Sequence, residues 1–194
     1  DQEIIKDVKK NGGEAILTNN NHKTGTDRIY EAFVKLGRKD IDLIMNLQGD
    51  EPLMNIEDIQ KLNKHMIQTK RDLGTLAAKI NNKKVFENQD IVKVITEESL
   101  DDSKFPRAIN FMRKLNKENN QAYHHLGIYC YNVEILKRFI SFKQSQNEIE
   151  NRLEQLRALD NNINVNVALA KSSPIGVDTK EDFMAIKKIM EYKS

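Results

Sequence analysis

The 194-residue sequence has few of the features that mark secreted, membrane or multidomain proteins. It contains one cysteine, so no disulfide can form within the chain, and this usage fits a reducing compartment. No stretch reaches the roughly 18 apolar residues that a membrane helix needs, and the N-terminal stretch "DQEIIKDVKK" lacks the apolar core of a signal peptide. Linkers rich in proline and glycine are missing too. These absences predict one soluble, cytoplasmic domain over residues 1–194.

An excess of one charge sign is also missing. Lysine and arginine total 31 against 29 aspartate and glutamate residues, which leaves a net charge of +2. Nucleic-acid-binding domains concentrate basic residues on one face, and no such block is present here. With 39% hydrophobic residues the chain has enough apolar side chains for a core, which is evidence against disorder.

Helical and strand patterns alternate along the chain. Strands are predicted at "EAILT", "IDLIMNL", "GTLAAKI", "IVKVIT", "YHHLGIYCYN" and "INVNVALA". Helices are predicted at "QEIIKDVKK", at Thr26 to Leu36 with Thr26 as the cap, and at "NIEDIQKLNKHMIQ", "VEILKRFISF", "EIENRLEQLRAL" and "KEDFMAIKKIMEY". Such alternation predicts an α/β fold with an open sheet.

The stretch "NLQGDEP", residues 46–52, follows the apolar strand pattern "IDLIM". In open α/β sheets ligands bind outside the carboxyl ends of the strands, and this stretch has that position. Gly49 lets a ligand approach the backbone closely, and Asp50 offers the hard oxygen that magnesium prefers. The alternative is that Asp50 and Glu51 are solvated turn acids before a helix, where negative charge is favourable in any case.

The strand "HHLGIYCY" is a second candidate. Strand alternation places His125, Gly127 and Tyr129 on one face, opposite Leu126 and other apolar residues. The polar face is either part of a pocket or an ordinary strand surface.

Three further segments contain candidate site residues, and each of these residues also has a simple structural explanation. In "RLEQLR", Glu154 and Arg157 are either site residues or a charged helix surface. In "IGVDTKEDF", Asp178 is a possible ligand, or a helix cap together with its neighbour Thr179. In "KTGTDR", the helix start and Arg28 can meet an anion, or the segment only caps a helix.

Taken in order, these segments resemble one family, the 3-deoxy-manno-octulosonate cytidylyltransferases, also called CMP-KDO synthetases. The resemblance runs from residue 12 to residue 183, over "GGEAILT", "HKTGTDRIYEAF", "NLQGDEPLM", "KFPRA", "YHHLGIYCYN", "RLEQLRAL" and "GVDTKEDF". The combination of "NLQGDEP" with "LEQLRAL" and "GVDTKEDF" is specific to this family rather than to sugar nucleotidyltransferases in general.

The resemblance implies a Rossmann-like nucleotide-diphospho-sugar transferase sheet with helices on both faces. It implies an enzyme that transfers CMP from CTP to the acid sugar KDO and releases pyrophosphate, for lipopolysaccharide synthesis. Magnesium is the implied cofactor, and a homodimer is the implied assembly.

The resemblance also implies roles for single residues. Asp50 and Asp178 are expected to hold magnesium, and Arg107 of "KFPRA" to hold the acid sugar or a phosphate. Thr26 and Arg28 are expected near the cytidine. The KDO pocket is expected to be lined by Gln48, His125, Tyr129, Glu154 and Gln155.

The sequence departs from the family at its start. Members begin with a strand and a loop similar to "IPAR.SSTRLPGKPL", whose Arg and Lys hold the triphosphate, and no such stretch stands here. We therefore expect a truncated domain that lacks the N-terminal strand and phosphate loop, and a chain that can be inactive alone. A non-catalytic sugar-binding remnant and a cytidylyltransferase for another acid sugar, such as sialic acid, are the alternatives.

Overall fold

The computed structural model of the chain describes residues 1–80, 83–102, 104–115, 119–173, 176–177 and 179–191. The strands are β1 (Leu43–Asn46), β2 (Leu73–Ala78), β3 (Lys93–Thr96), β4 (Ala108–Met112), β5 (Ala122–Asn132) and β6 (Val165–Leu169). The helices are α1 (Gln2–Lys10), α2 (Gly25–Leu36), α3 (Ile56–Thr69), α4 (Lys83–Glu87), α5 (Val133–Ser141), α6 (Gln146–Asn151), α7 (Leu156–Asp160) and α8 (Lys180–Glu191). None of the described helices is both long and apolar enough to cross a bilayer.

The sheet is built around β5, the longest strand. β5 pairs antiparallel with β1, β2 and β3, while β2 pairs parallel with β6 and β4 pairs antiparallel with β3. The strand order is β4-β3-β5-β2-β6, with β1 also on β5. Because β1, β2 and β3 all oppose β5, they run in one direction together with β6. The predicted α/β class is confirmed, and the sheet is mixed rather than wholly parallel.

One side of β5 carries two short strands with a gap between them. β2 occupies the other side of β5 from His124 to Tyr131. On the gapped side, β3 pairs with β5 only up to His124, and β1 begins its pairing at Tyr129. Residues 126–128 of β5 therefore have no strand partner on that side among the described strands. The end of β1 opens onto this gap.

Helices cover both faces of the sheet, as the resemblance implies. On one face Tyr123 and Tyr131 of β5 pack in a cluster with Leu136 and Phe139 of α5. On the opposite face Leu126, Ile128 and Cys130 pack in a cluster with side chains of α3, among them Leu62 and Met66. The predicted alternation of β5 side chains is confirmed, because each cluster takes every second residue.

Helix starts are set by short polar side chains. The side chains of Asn55 and Asn132 cap α3 and α5, and Ser145 forms a capping box with Glu148 at α6. Helix α2 begins at Gly25 with Thr24 as its cap, so the prediction that Thr26 is the cap was wrong. The two threonines are two residues apart, and Thr26 is instead buried inside the first turn.

Two other predictions about local structure were wrong. "EAILT", residues 14–18, forms no strand, since none of the described strands pairs with it. Side chains of α2 bind the segment instead, with Lys35 Nζ donating to the Leu17 carbonyl at 2.7 Å. "EIENRLEQLRAL" is not one helix, because the chain breaks between α6 and α7, where Arg152 adopts a left-handed conformation with φ 53°.

Candidate functional site

A cavity of about 1310 Å³ opens where β1, β2 and β6 end. Its walls include the residues that follow those strands, Gln48 and Asp50 after β1, Lys79 after β2 and Lys171 after β6. Binding outside the carboxyl ends of parallel strands is the common arrangement in α/β sheets. The volume exceeds the roughly 300–1,000 Å³ typical of a site for one small ligand, which suits a reaction of two substrates.

The cavity brings most of the sequence-predicted substrate residues together. The predicted residues in its wall come from three separate parts of the chain: Gln48, Asp50, His125, Tyr129, Glu154 and Gln155. His125 and Gln155 are buried, whereas Gln48 and Asp50 are exposed to the cavity mouth.

Three other predicted residues, all within the described part of the chain, are not in the cavity wall. Thr26 is buried beneath it, with its hydroxyl 3.4 Å from that of Tyr131. Arg28 donates to Thr18 Oγ1 at 2.6 Å, and the exposed Arg107 pairs with Glu97 at 3.6 Å. Asp178 lies outside the described residues.

Asp50 is held beside the segment that leads into α8. The Val177 N–H donates to the Asp50 carbonyl at 2.7 Å, and a Cβ added to Gly176 would lie 3.6 Å from the same oxygen. Asp50 and Asp182 both line the cavity, but Asp182 Oδ2 already accepts hydrogen bonds from the Thr179 N–H at 2.9 Å and the Thr179 hydroxyl at 2.7 Å. Asp50 therefore offers the hard carboxylate oxygens that magnesium prefers. The donor chemistry at this rim therefore fits the implied ion, although the described residues contain no cluster of three or more ligating side chains.

Gly127 lets the "NLQGDEP" segment approach β5 at the gap. Its N–H donates to Glu51 Oε1 at 3.3 Å. A Cβ at this position would come within 3.3 Å of the same oxygen and 3.7 Å of Gln48 Cγ. The absence of a side chain thus lets Gln48 and Glu51 lie against β5 in the cavity wall.

Burial keeps two aromatic site residues uncharged. It lowers the pKa of His125 to about 3, with a smaller contribution from His124. It also raises the pKa of Tyr129 well above its ordinary value, with help from Tyr131, Glu154 and Glu51. At neutral pH the cavity therefore presents a neutral imidazole and a protonated phenol, which suit the hydroxyl groups of a sugar.

Glu154 is a half-buried carboxylate of the site. Burial raises its pKa, while hydrogen bonding from Thr26 and Thr24 and the charge of Arg157 oppose the rise. Its Oε1 atom lies 3.9 Å from Arg157 Nη2. Glu154 is thus held against the start of α2, and Arg157 is buried rather than part of a charged helix surface.

Several basic residues of the cavity wall were not predicted from the sequence. Lys79, Arg113 and Lys171 line it, as does His124. Ser173 Oγ lies 2.6 Å from His124 Nδ1, and burial lowers the pKa of His124 to about 4. Lys79 and Lys171 come one and two residues after strands that end at the same edge, which is the signal that could have identified them.

A second cavity of about 800 Å³ lies on another side of Asp50, against Phe183, Ile186 and Met190 of α8. Its walls are mainly apolar, so phosphates and sugar hydroxyls fit the larger cavity better.

Comparison with known proteins agrees with these observations. The chain matches the cytidylyltransferase family over residues 1–171. It is 40% identical to the 3-deoxy-manno-octulosonate cytidylyltransferase of Thermodesulfovibrio yellowstonii, over 98% of this chain and 78% of that protein. It is 36% identical to the enzyme of the same name from Bartonella tribocorum, over 97% of this chain and 77% of that protein.

Solved structures show the same fold. The structure of CMP:2-keto-3-deoxy-manno-octonic acid synthetase complexed with CTP superposes with a TM-score of 0.87 at 28% identity, over 100% of this chain and 79% of that one. Apo UDP-glucose pyrophosphorylase, at 11% identity and a TM-score of 0.67, shares the fold alone. On this evidence the chain belongs to the 3-deoxy-manno-octulosonate cytidylyltransferase family.

Proposed function

We propose that this chain transfers CMP from CTP to 3-deoxy-manno-octulosonate (KDO), forming CMP-KDO and pyrophosphate. The observation that carries the proposal is that Gln48, His125, Tyr129, Glu154 and Gln155 converge on one cavity beside Asp50. Relatives that share the family bear the name of this activity.

The reaction is an in-line substitution at phosphorus. The oxygen of the KDO anomeric hydroxyl forms a bond to the α-phosphorus of CTP. The bond from that phosphorus to the bridging oxygen breaks, and pyrophosphate leaves with the electron pair. The proton of the hydroxyl passes to water at the open mouth of the cavity. Positioning and electrostatic stabilisation supply most of the rate in reactions of this type.

The residues of the cavity wall have different roles in this reaction, which follow from their chemistry. The amides of Gln48 and Gln155 and the neutral Tyr129 can hydrogen-bond the sugar hydroxyls. Lys79 and Arg113 offset the negative charge of the phosphates, and Lys171 would do so after leaving its ion pair with Glu57. Arg107 would bind a phosphate or the sugar carboxylate only after leaving its ion pair with Glu97. Thr26 and Arg28 remain proposed contacts on the cytidine side.

Asp50 and Asp178 would hold magnesium. When bound, the ion would neutralise phosphate charge and orient the reacting groups. The exposed position of Asp50 in the cavity wall supports its part of this assignment. We also propose that the chain forms a homodimer in the cytoplasm. Sedimentation of the purified chain tests the dimer.

The test is release of pyrophosphate from CTP plus KDO, measured with magnesium and with a chelator. Magnesium-dependent release that requires KDO is the expected result, and sialic acid in place of KDO should give none. Calorimetric titration with KDO, run alongside the assay, measures binding separately from turnover. Binding of KDO without any release, both by this chain and by one extended upstream, would contradict the enzyme proposal and favour the non-catalytic alternative.

A further inference from the structure

The side chain of Thr75 lies behind the cavity wall and contacts it through His125. Thr75 belongs to β2 and is fully buried. The pairing of β2 with β5 is irregular here, since Thr75 opposes Tyr129 whereas the next residue, Leu76, opposes Leu126. Two residues of β5, Gly127 and Ile128, therefore bulge out of the pairing. Bulges are frequent next to active sites, where they redirect side chains.

The Thr75 hydroxyl contacts backbone carbonyls of β5 at the bulge. Its Oγ1 atom lies 2.7 Å from the Ile128 carbonyl and 3.3 Å from the Leu126 carbonyl. The same atom lies 3.0 Å from Nε2 of His125. One hydroxyl thus contacts three groups of β5, and two of these groups are carbonyls that can only accept a hydrogen bond.

The single hydrogen of the Thr75 hydroxyl determines which nitrogen of the His125 imidazole carries the proton. A threonine hydroxyl has one hydrogen to donate and lone pairs to accept with. If that hydrogen pointed to His125, the Thr75 and Ile128 oxygens would face each other at 2.7 Å without a proton between them. The hydrogen therefore goes to the carbonyl, and Oγ1 accepts from the Nε2–H of His125. The proton of the neutral ring is on Nε2, and Nδ1 carries the lone pair.

We propose that Thr75 is a positioning residue that fixes His125 in the Nε2–H tautomer, so that Nδ1 accepts a hydrogen bond from a hydroxyl of the bound sugar. A carboxylate can only accept hydrogen bonds, so it has no partner at this nitrogen. The tautomer thus orients an acid sugar, with a hydroxyl toward His125 and its carboxylate elsewhere. Burial, which holds the pKa of His125 at about 3, keeps the ring in this neutral form at working pH.

The ligand part of this inference rests on the proposed function, whereas the tautomer part does not. The first experiment is therefore ¹⁵N NMR of the imidazole nitrogens in the unliganded chain, with His125→Gln identifying the signals of His125. A protonated Nε2 and an unprotonated Nδ1 are expected. A protonated Nδ1 would overturn the inference whether or not the chain is active.

The second experiment compares Thr75→Val with Thr75→Ser. Valine keeps the shape and removes the hydroxyl, while serine keeps the hydroxyl. We expect Thr75→Val to lose the single tautomer and to raise the KM for KDO about tenfold, the equivalent of one hydrogen bond. The KM for CTP should not change. Thr75→Ser should keep both the KM for KDO and the NMR signature of the unaltered chain.

Two outcomes would contradict the positioning role. One is a folded Thr75→Val chain with an unchanged tautomer. The other is an equal rise in the KM of both substrates, which indicates general damage to the site. If the unaltered chain releases no pyrophosphate but has the Nε2–H tautomer, the proposed function fails and the Thr75–His125 relationship stands.

Discussion

Arg157 and Glu148 form a buried bidentate ion pair, in which Arg157 Nε donates to Glu148 Oε2 at 2.8 Å and Nη2 donates to Oε1 at 2.6 Å. The guanidinium also lies over the Phe139 ring, 4.6 Å from its centroid. The pair joins α6 to α7 across the break at Arg152. Because Glu154 and Gln155 lie between the two partners in the chain, the pair holds this part of the cavity wall in place.

Removing the negative partner should destabilise the fold strongly. Glu148→Gln removes the bidentate partner of the buried Arg157 guanidinium and leaves only the longer contacts to Glu154 at 3.9 Å and Asp27 at 4.0 Å. Losing one partner of a buried pair typically costs about 3–5 kcal/mol. The free energy of unfolding, measured with urea at neutral pH, should fall by about that amount. Glu150→Gln is the matched control two residues away, because Glu150 is exposed and should change stability by less than about 0.5 kcal/mol. Equal effects from the two variants would show that the pair is unimportant for stability.

The helix break that makes this ion pair possible could not be predicted from the sequence. In a continuous helix with about 3.6 residues per turn, Glu148 and Arg157 would lie on opposite faces. The apolar spacing of "EIENRLEQLRAL" favours such a helix, and the left-handed Arg152 that breaks it carries no glycine or proline signal. The break depends on tertiary contacts that local periodicity does not contain.

The faces of β5 were predictable, whereas its neighbours were not. Alternation in "HHLGIYCY" correctly separated His125 and Tyr129 from the apolar residues of the other face. Alternation does not tell which strand pairs with which, so the gap beside Gly127 and the contact from Thr75 to His125 could not be foreseen. The latter joins residues 50 positions apart. The strand β4 was missed as well.

Gly74 is predicted to be required for packing. A Cβ added there would come within 2.8 Å of Leu62 Cδ1 and of Met66 Sδ, both in the buried contact between β2 and α3. Overpacking of this kind costs about 1–3 kcal/mol, so Gly74→Ala should lower the urea midpoint. Gly25→Ala is the control, since a Cβ at Gly25 meets no atom within 4 Å. The prediction fails if Gly74→Ala is as stable as the unaltered chain.

Stability should fall as the pH drops below the ordinary pKa of histidine, 6.5. Burial lowers the pKa of His125 to about 3 and that of His124 to about 4. Between these values and 6.5 the unfolded chain binds protons that the folded chain does not bind. Stability is therefore lost as pH falls through this window, with a slope of at most about 1.4 kcal/mol per pH unit for His125.

Urea unfolding at about pH 7 and about pH 5 measures this slope. Glu31 does not interfere in this window. The hydrogen bond from Lys35, with others from His22 and Asn19, lowers its pKa from 4.5 to about 2, so its contribution is lost only at lower pH. His125→Gln removes the titrating group and keeps a donor that can face Thr75. That variant should show a flatter dependence on pH, and an unchanged slope would mean that His125 titrates normally.

Asp50 is predicted to be essential for turnover but dispensable for folding. Its side chain is exposed at the cavity rim, and only its backbone carbonyl holds Val177. Asp50→Asn keeps that backbone contact and removes the charge that would hold magnesium, so kcat for pyrophosphate release should fall by at least about a hundredfold. The urea midpoint should not change. Asp40→Asn is the control, since Asp40 is an exposed carboxylate that pairs with Arg38 away from the cavity. If Asp50→Asn keeps near-normal, magnesium-dependent turnover, Asp50 is not a metal ligand, and the ion must be bound elsewhere on the rim.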